Sequence, residues 1–285
     1  MAEKVNGKKP GHMAEKLEKR AGSLKGKRAG RKRRGKKKAE GKKLLWILLS
    51  LSLAAALLFW PVLSRRKEGS VGPKVPPGNW SYGIDLSHNN EGDVEWDSLA
   101  VMIDGRGRLV DNFNAAKEIH PVDYVFIKAT EGISMKDRKF KVYWKESSDH
   151  SFARGAYHFF RSSKDPKLQA ENFCKTVGRL SSEDLPPVLD VETMHRGCTK
   201  KLLNERVLVW LKSVEAYYGV RPIVYTSESF ALDVLSAEIS GNYPLWIAHY
   251  KTDRLSVEKW LYWQFTDKAL VRGVQRPVDL SVKKF

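Results

Sequence analysis

Two cysteines in 285 residues are too few to staple a small disulfide scaffold. Acidic side chains are scarce at one end: residues 1–43 hold four glutamates against 13 lysines and five arginines, so +14 of the formal +18 lies there. The same segment contains no phenylalanine, tyrosine or tryptophan. With almost no large apolar side chains it cannot bury enough surface to offset its ordering entropy, and it reads as a disordered basic tail. Arg65, Arg66, Lys67 and Glu68 add +2, and from residue 69 onward 30 basic side chains stand against 28 acidic ones. That near neutrality excludes a folded surface shaped to grip nucleic acid. The tail has no rings to stack on bases, so it suits a topology signal that adheres to anionic headgroups better than an RNA contact, and no nucleic-acid partner is expected.

Formal charge is wholly missing from residues 44–63, LLWILLSLSLAAALLFWPVL. As a helix rising about 1.5 Å per residue this run would reach roughly 30 Å, the thickness of a bilayer's hydrocarbon core. Trp46 and Trp60 stand near its ends, where interfacial anchors belong. A buried core helix rarely runs this far without a charge, and a cleavable signal peptide has a shorter leader and a small-residue site beyond its apolar stretch. The reading is therefore one transmembrane helix. The larger cationic excess precedes it, which places the N-terminus in the cytoplasm and the rest of the chain in the periplasm or outside the cell. Residues 64–79, rich in proline and glycine, read as a linker, and the folded domain is expected over 80–285.

Within that domain short apolar runs alternate with helical patterns, the signature of βα units on a mostly parallel sheet. Strands are expected at 82–86, 124–129, 155–160, 187–191, 223–226, 245–249 and 262–265. Asp165-Pro166 opens a helix over 167–180, and Leu203, Val207, Trp210, Leu211 and Val214 mark another over 201–218, stopped by Gly219 and Pro222. About 205 residues in this rhythm predict an α/β fold, a distorted TIM-like (β/α) barrel.

Barrel chemistry sits at the C-terminal ends of the strands. Those positions collect Asp85, Glu131, Asp190, Glu192 and Asp279, with Tyr157, His158, Tyr225, Trp246, His249, Tyr250 and Gln264 beside them. Sugar rings stack on aromatic planes and glycosidic bonds are cleaved with acids, so the mixture suits a carbohydrate. Asp190 and Glu192 carry the most information. On a strand they would share a face about 6.6 Å apart, and two acids that close do not both ionise readily at neutral pH. A raised carboxyl is what a general acid needs. Acid pairs at strand ends also bind metals or cap helices, but His158 and His195 show neither H-x-x-x-H nor H-x-E spacing. No metal or cofactor is implied.

The motifs YGIDLSH at 82–88, FIKATEG at 126–132, GAYHFFR at 155–161, PPVLDVE at 186–192, WQFT at 263–266 and the terminal PVDLSVKKF stand in one order. Over residues 80–285 the chain resembles glycoside hydrolase family 25, the Chalaropsis-type lysozymes or N-acetylmuramidases. The resemblance implies a distorted β/α barrel that hydrolyses the β-1,4 bond between N-acetylmuramic acid and N-acetylglucosamine in peptidoglycan. It makes Glu192 the general acid/base, Asp190 its neighbour, and Asp85 and Asp279 supporting acids; Tyr157, Tyr225, Trp246, Tyr250 and Gln264, collected at the strand ends, are read from their residue types as substrate-binding. Two departures stand out: HNNEGDVEW at 88–96 replaces the family's frequent Gln-Gly pair, and 101–120 reads as an insertion.

The alternative is a catalytically idle glycan-binding module that tethers the wall to the membrane. Asp190 has two possible tasks: to attack the anomeric carbon, or to orient the substrate's acetamido group as an internal nucleophile, the latter favoured because both sugars carry one. Glu192 is expected to be kept protonated by its ionised neighbour. In an oxidising compartment Cys174 and Cys198, flanking the Asp190 strand, are expected to form a disulfide.

Overall fold

The computed structural model describes residues 71–90 and 92–284. The basic tail, the apolar run at 44–63 and the first part of the linker lie outside them. Among the described residues no helix is long and apolar enough to cross a membrane.

The strands follow in chain order as β1 (Val71–Lys74), β2 (Trp80–Leu86), β3 (Ala100–Ile103), β4 (Arg108–Val110), β5 (Glu118–Pro121), β6 (Tyr124–Glu131), β7 (Met135–Lys136), β8 (Ala153–Phe159), β9 (Val188–Asp190), β10 (Ile223–Ser227), β11 (Leu245–Ala248), β12 (Tyr262–Ala269), β13 (Val271–Arg272) and β14 (Val278–Lys284). The helices are α1 (Phe140–Asp149), α2 (Pro166–Val177), α3 (Lys200–Tyr218), α4 (Glu228–Asp233) and α5 (Ala237–Asn242). Local chemistry sets the helix limits. Asp165 caps α2 by accepting the N–H groups of Lys167 and Leu168, and Gly178 at φ +74° ends it three residues before the sequence pattern does. Thr199 caps α3, and Gly219 in the left-handed region closes it.

All seven expected strands are present, and an eighth, β14, completes a closed sheet. From β2 through β6, β8, β9, β10, β11 and β12 each neighbouring pair is parallel. The last strand then returns antiparallel between β12 and β2. The TIM-like description is therefore approximate. One strand runs against the others, no helix joins β11 to β12, and a second sheet replaces the helix between β2 and β6.

That second sheet gives the insertion its structure and corrects the bounds of the linker. The insertion at 101–120 supplies β3, β4 and β5, which pair antiparallel with one another and with β13. The linker is shorter than 64–79, because Val71–Lys74 forms β1 and pairs with β4. Gly72 makes this possible, since a Cβ there would lie 3.0 Å from the Leu109 side chain. The expected disulfide is not formed either: Cys174 and Cys198 are both free thiols. Cys174 turns into the helix-packed core, where burial pushes its thiol up to about 11 against an opposing Tyr218 hydrogen bond, while Cys198 Sγ points to the Thr199 carbonyl at 3.5 Å.

Alternation along the strands sends one set of side chains outward against the helices and the other into the barrel. The lower interior is an aromatic floor of Tyr124, Phe126, Tyr225, Trp246 and Tyr262 with Val188 and Ile223. Phe126 stacks on Trp246 at 4.5 Å, and Trp246 donates its indole N–H to Ser281 Oγ at 3.0 Å. Room for these rings comes from Gly83 and Gly155, where an added Cβ would lie 2.0 Å from Tyr124 and 2.4 Å from Phe126. Gly83→Ala is accordingly expected to overpack the floor and cost about 1–3 kcal/mol in denaturant unfolding. Gly241→Ala, in open space on α5, should show no such loss.

Candidate active site

Above the floor the barrel opens into a cavity of about 400 Å³ at the C-terminal ends of the parallel strands. Every residue the sequence assigned to substrate or catalysis lines it: Asp85, Asp190, Glu192 and Asp279, together with Tyr157, Tyr225, Trp246, Tyr250 and Gln264. The register accounts for this gathering. Asp279 on β14 lies opposite Asp85 on β2, and Tyr225 on β10 lies opposite Asp190 on β9. Glu192 follows two residues after β9 ends, so it sits exposed at the mouth while Asp190 is only 6% exposed.

Gln264 ties the aromatic wall to the acids. Its amide oxygen accepts the hydroxyls of Tyr225 at 2.8 Å and Tyr250 at 2.6 Å, and its NH₂ donates to Asp85 Oδ2 at 2.9 Å. Burial raises the Asp85 carboxyl well above the usual range, and the Asp279 and Glu192 charges add to this against the Gln264 bond. Asp279 is pushed up to about 6 by burial and then by the neighbouring Asp267. Asp190 is raised well above its ordinary value, first by burial and then by the charge and hydrogen bond of Glu192. Asp190, the buried member of the Asp-x-Glu pair, thus carries an upward shift. Asp190 Oδ1 has no hydrogen-bond partner among the described residues.

Two residues collected from the strand ends lie elsewhere. His158 faces outward, 2.7 Å from Thr130 Oγ1, stacked on Trp210, and driven down to about 4 by burial, so it is a neutral core side chain. His249 pairs with Glu228 at 2.5 Å in a neighbouring cavity. Glu131 stands beside the site, 2.8 Å from Lys128 Nζ and from Arg161 Nε. Burial opposes its ionisation, yet the two cations hold its carboxyl below the ordinary value. Among the described residues no group of His, Cys, Asp or Glu is arranged to hold a metal ion.

The cavity also includes Ser87, Asn89, Asn90, Phe159 and Asp267, which the sequence reading did not select. Phe159 was open to discovery, because it follows Tyr157 by two and shares its face. The Ser87–Asn90 turn combines a local contact with others distant in sequence. Asn90 Oδ1 accepts the Ser87 N–H at 2.7 Å, and Asp137, from beyond β7, accepts both the backbone N–H and the ring of His88.

Residues 84–274 match glycosyl hydrolases family 25. Among curated relatives, the uncharacterized protein YegX of Escherichia coli K12 is 36% identical over 219 residues, covering 76% of this chain and 74% of that protein. Lysozyme M1 of Streptomyces globisporus is 27% identical over 226 residues, covering 74% and 70%. The solved structure of a family 25 glycosyl hydrolase from Bacillus anthracis superposes with a TM-score of 0.59 at 27% identity, covering 72% of this chain and 89% of that one. With the acid-lined mouth, the closed sheet and the match across both, the chain belongs to glycosyl hydrolases family 25, the lysozymes.

Proposed function

We propose that this chain is a membrane-anchored muramidase that cleaves the β-1,4 bond between N-acetylmuramic acid and N-acetylglucosamine with help from the substrate's own acetamido group. Family membership supports peptidoglycan hydrolysis, and the curated relative from Streptomyces globisporus is named a lysozyme. The observation that carries the mechanism is the buried, unpartnered Oδ1 of Asp190 beside the solvent-facing Glu192. An acetamido N–H is a donor of the kind that oxygen lacks, and accepting it would turn the acetamido carbonyl oxygen toward the anomeric carbon. Glu192, at the mouth, gives its proton to the leaving glycosidic oxygen and later deprotonates the water that opens the cyclic intermediate. Asp85 and Asp279 hold the sugar, and Asp279, pushed up only to about 6, keeps negative charge near the developing oxocarbenium centre above that pH.

Incubating the full chain with purified peptidoglycan should release new reducing ends at muramic acid, with the β-anomer formed first. Initial release of the α-anomer would exclude the acetamido route, which retains configuration through two inversions. The anchor rests on the charge asymmetry around residues 44–63. A C-terminal reporter active only outside the cytoplasm should function, and recovery of a processed soluble periplasmic form would sink the uncleaved-anchor reading.

A further inference from the structure

A second cavity, of about 470 Å³, opens on the same end of the barrel, beside the C-terminal ends of β10 and β11. Tyr250 lines both this cavity and the catalytic one and is the partition between them, held through its hydroxyl to Gln264 at 2.6 Å. The floor is built rather than incidental. Glu228, 7% exposed, binds His249 Nδ1 at 2.5 Å and accepts the backbone N–H groups of Ser256 and Val257.

The two cavities differ in chemistry. The catalytic one presents the rings of Trp246, Tyr157, Tyr225 and Phe159, which suit pyranose faces. Its neighbour presents no tryptophan among the described residues. It offers instead Leu232, 59% exposed, the hydroxyls of Ser227 and Ser229, and the opposite charges of Lys251 and Asp233. Neither Lys251 nor Asp233 has a partner among the described residues. A free cation, a free anion and an exposed aliphatic side chain in one cavity complement a short peptide that carries a carboxylate, an amine and methyl groups.

We propose that this cavity receives the peptide substituent of the muramic acid residue whose glycosidic bond is cleaved on the other side of Tyr250. Lys251 pairs with a peptide carboxylate, Asp233 with a peptide amine, and Leu232 packs on an alanine methyl group. The inference rests on the muramidase reading and extends it from the glycan to its peptide.

The test compares two substrates with the full chain: glycan strands bearing their peptides, and the same strands stripped of peptide by an amidase. Lys251→Glu and Leu232→Ser change exposed side chains outside the acid cluster, and both should melt at the wild-type temperature. On peptide-bearing strands each should lower kcat/KM about three- to tenfold through KM. On stripped strands both should match the wild type. Equal loss on the two substrates would make the cavity a sugar subsite and overturn the proposal, as would no loss on either. A wild-type chain inert toward both substrates would refute the muramidase reading itself, and the inference with it.

Discussion

Glu192→Gln is expected to lose turnover by about 10²- to 10⁴-fold while still binding glycan. Glutamine keeps the size and hydrogen-bonding reach of the side chain but cannot transfer a proton, and the position is exposed, so the fold has nothing to lose. A fall in kcat with KM nearly unchanged is the pattern of an interaction made in the transition state alone. Sedimentation with insoluble peptidoglycan should match the wild type. Near-normal turnover would falsify the assignment of Glu192 as the acid.

Asp190→Asn should also be severely impaired, by about 10²- to 10³-fold, since the amide replaces the carboxyl oxygen that orients the acetamido group. Unlike Glu192→Gln, it should stabilise the protein. The Asp190 carboxyl is raised in the folded state by burial, so folding favours its protonated form. Below the unfolded value of 3.8 the aspartate costs nothing; as pH rises through and beyond that value the unfolded chain gains by releasing a proton that the folded chain retains. The stability gap between Asp190→Asn and the wild type therefore opens with rising pH and levels off above the folded value. Asp279→Asn gives the same sign with a bounded size. Its carboxyl moves from 3.8 to about 6, and roughly 1.4 kcal/mol per unit sets an upper limit of about 3 kcal/mol at pH 8, gained mostly between pH 4 and 6. Urea melts at pH 3.5 and pH 8 measure both. A wild type more stable than Asp279→Asn at pH 8 would contradict the shift.

Such a trade of stability for chemistry could not be read from spacing alone. The pair Asp190 and Glu192 was legible as a site because period-two alternation places inward acids on known strand ends. Which of the two is buried depends on where β9 stops, and that is set by its pairing with β8 and β10. The strands themselves were readable where apolar runs are continuous, as in YVFIKA, because both faces of a parallel barrel strand are buried. The last strand, VDLSVKK, escaped. Its antiparallel place between β2 and β12 and the half-exposed lysine within it blur the apolar run. The 101–120 insertion hid three strands for a similar reason, being short, polar at the turns and stabilised by partners at β1 and β13. Gln264 was selected as a polar strand-end residue, but its joining of two tyrosines to Asp85 is a matter of depth and angle that appears only in three dimensions.

The antiparallel seam also bears on how the chain is made. β2 and β12 both wait for β14 as their neighbour, and Asp85 and its opposite Asp279 are separated by most of the described sequence. At about 5–20 residues per second, synthesis leaves β2 with one bare edge for roughly ten to forty seconds before β14 emerges. During that interval unpaired backbone N–H and C=O groups of an apolar strand are available to other chains. The polar, charge-bearing ends of β14 then act last, sealing the barrel and delivering the fourth acid in a single event, so that an incompletely synthesised chain carries neither a closed sheet nor a full set of carboxylates.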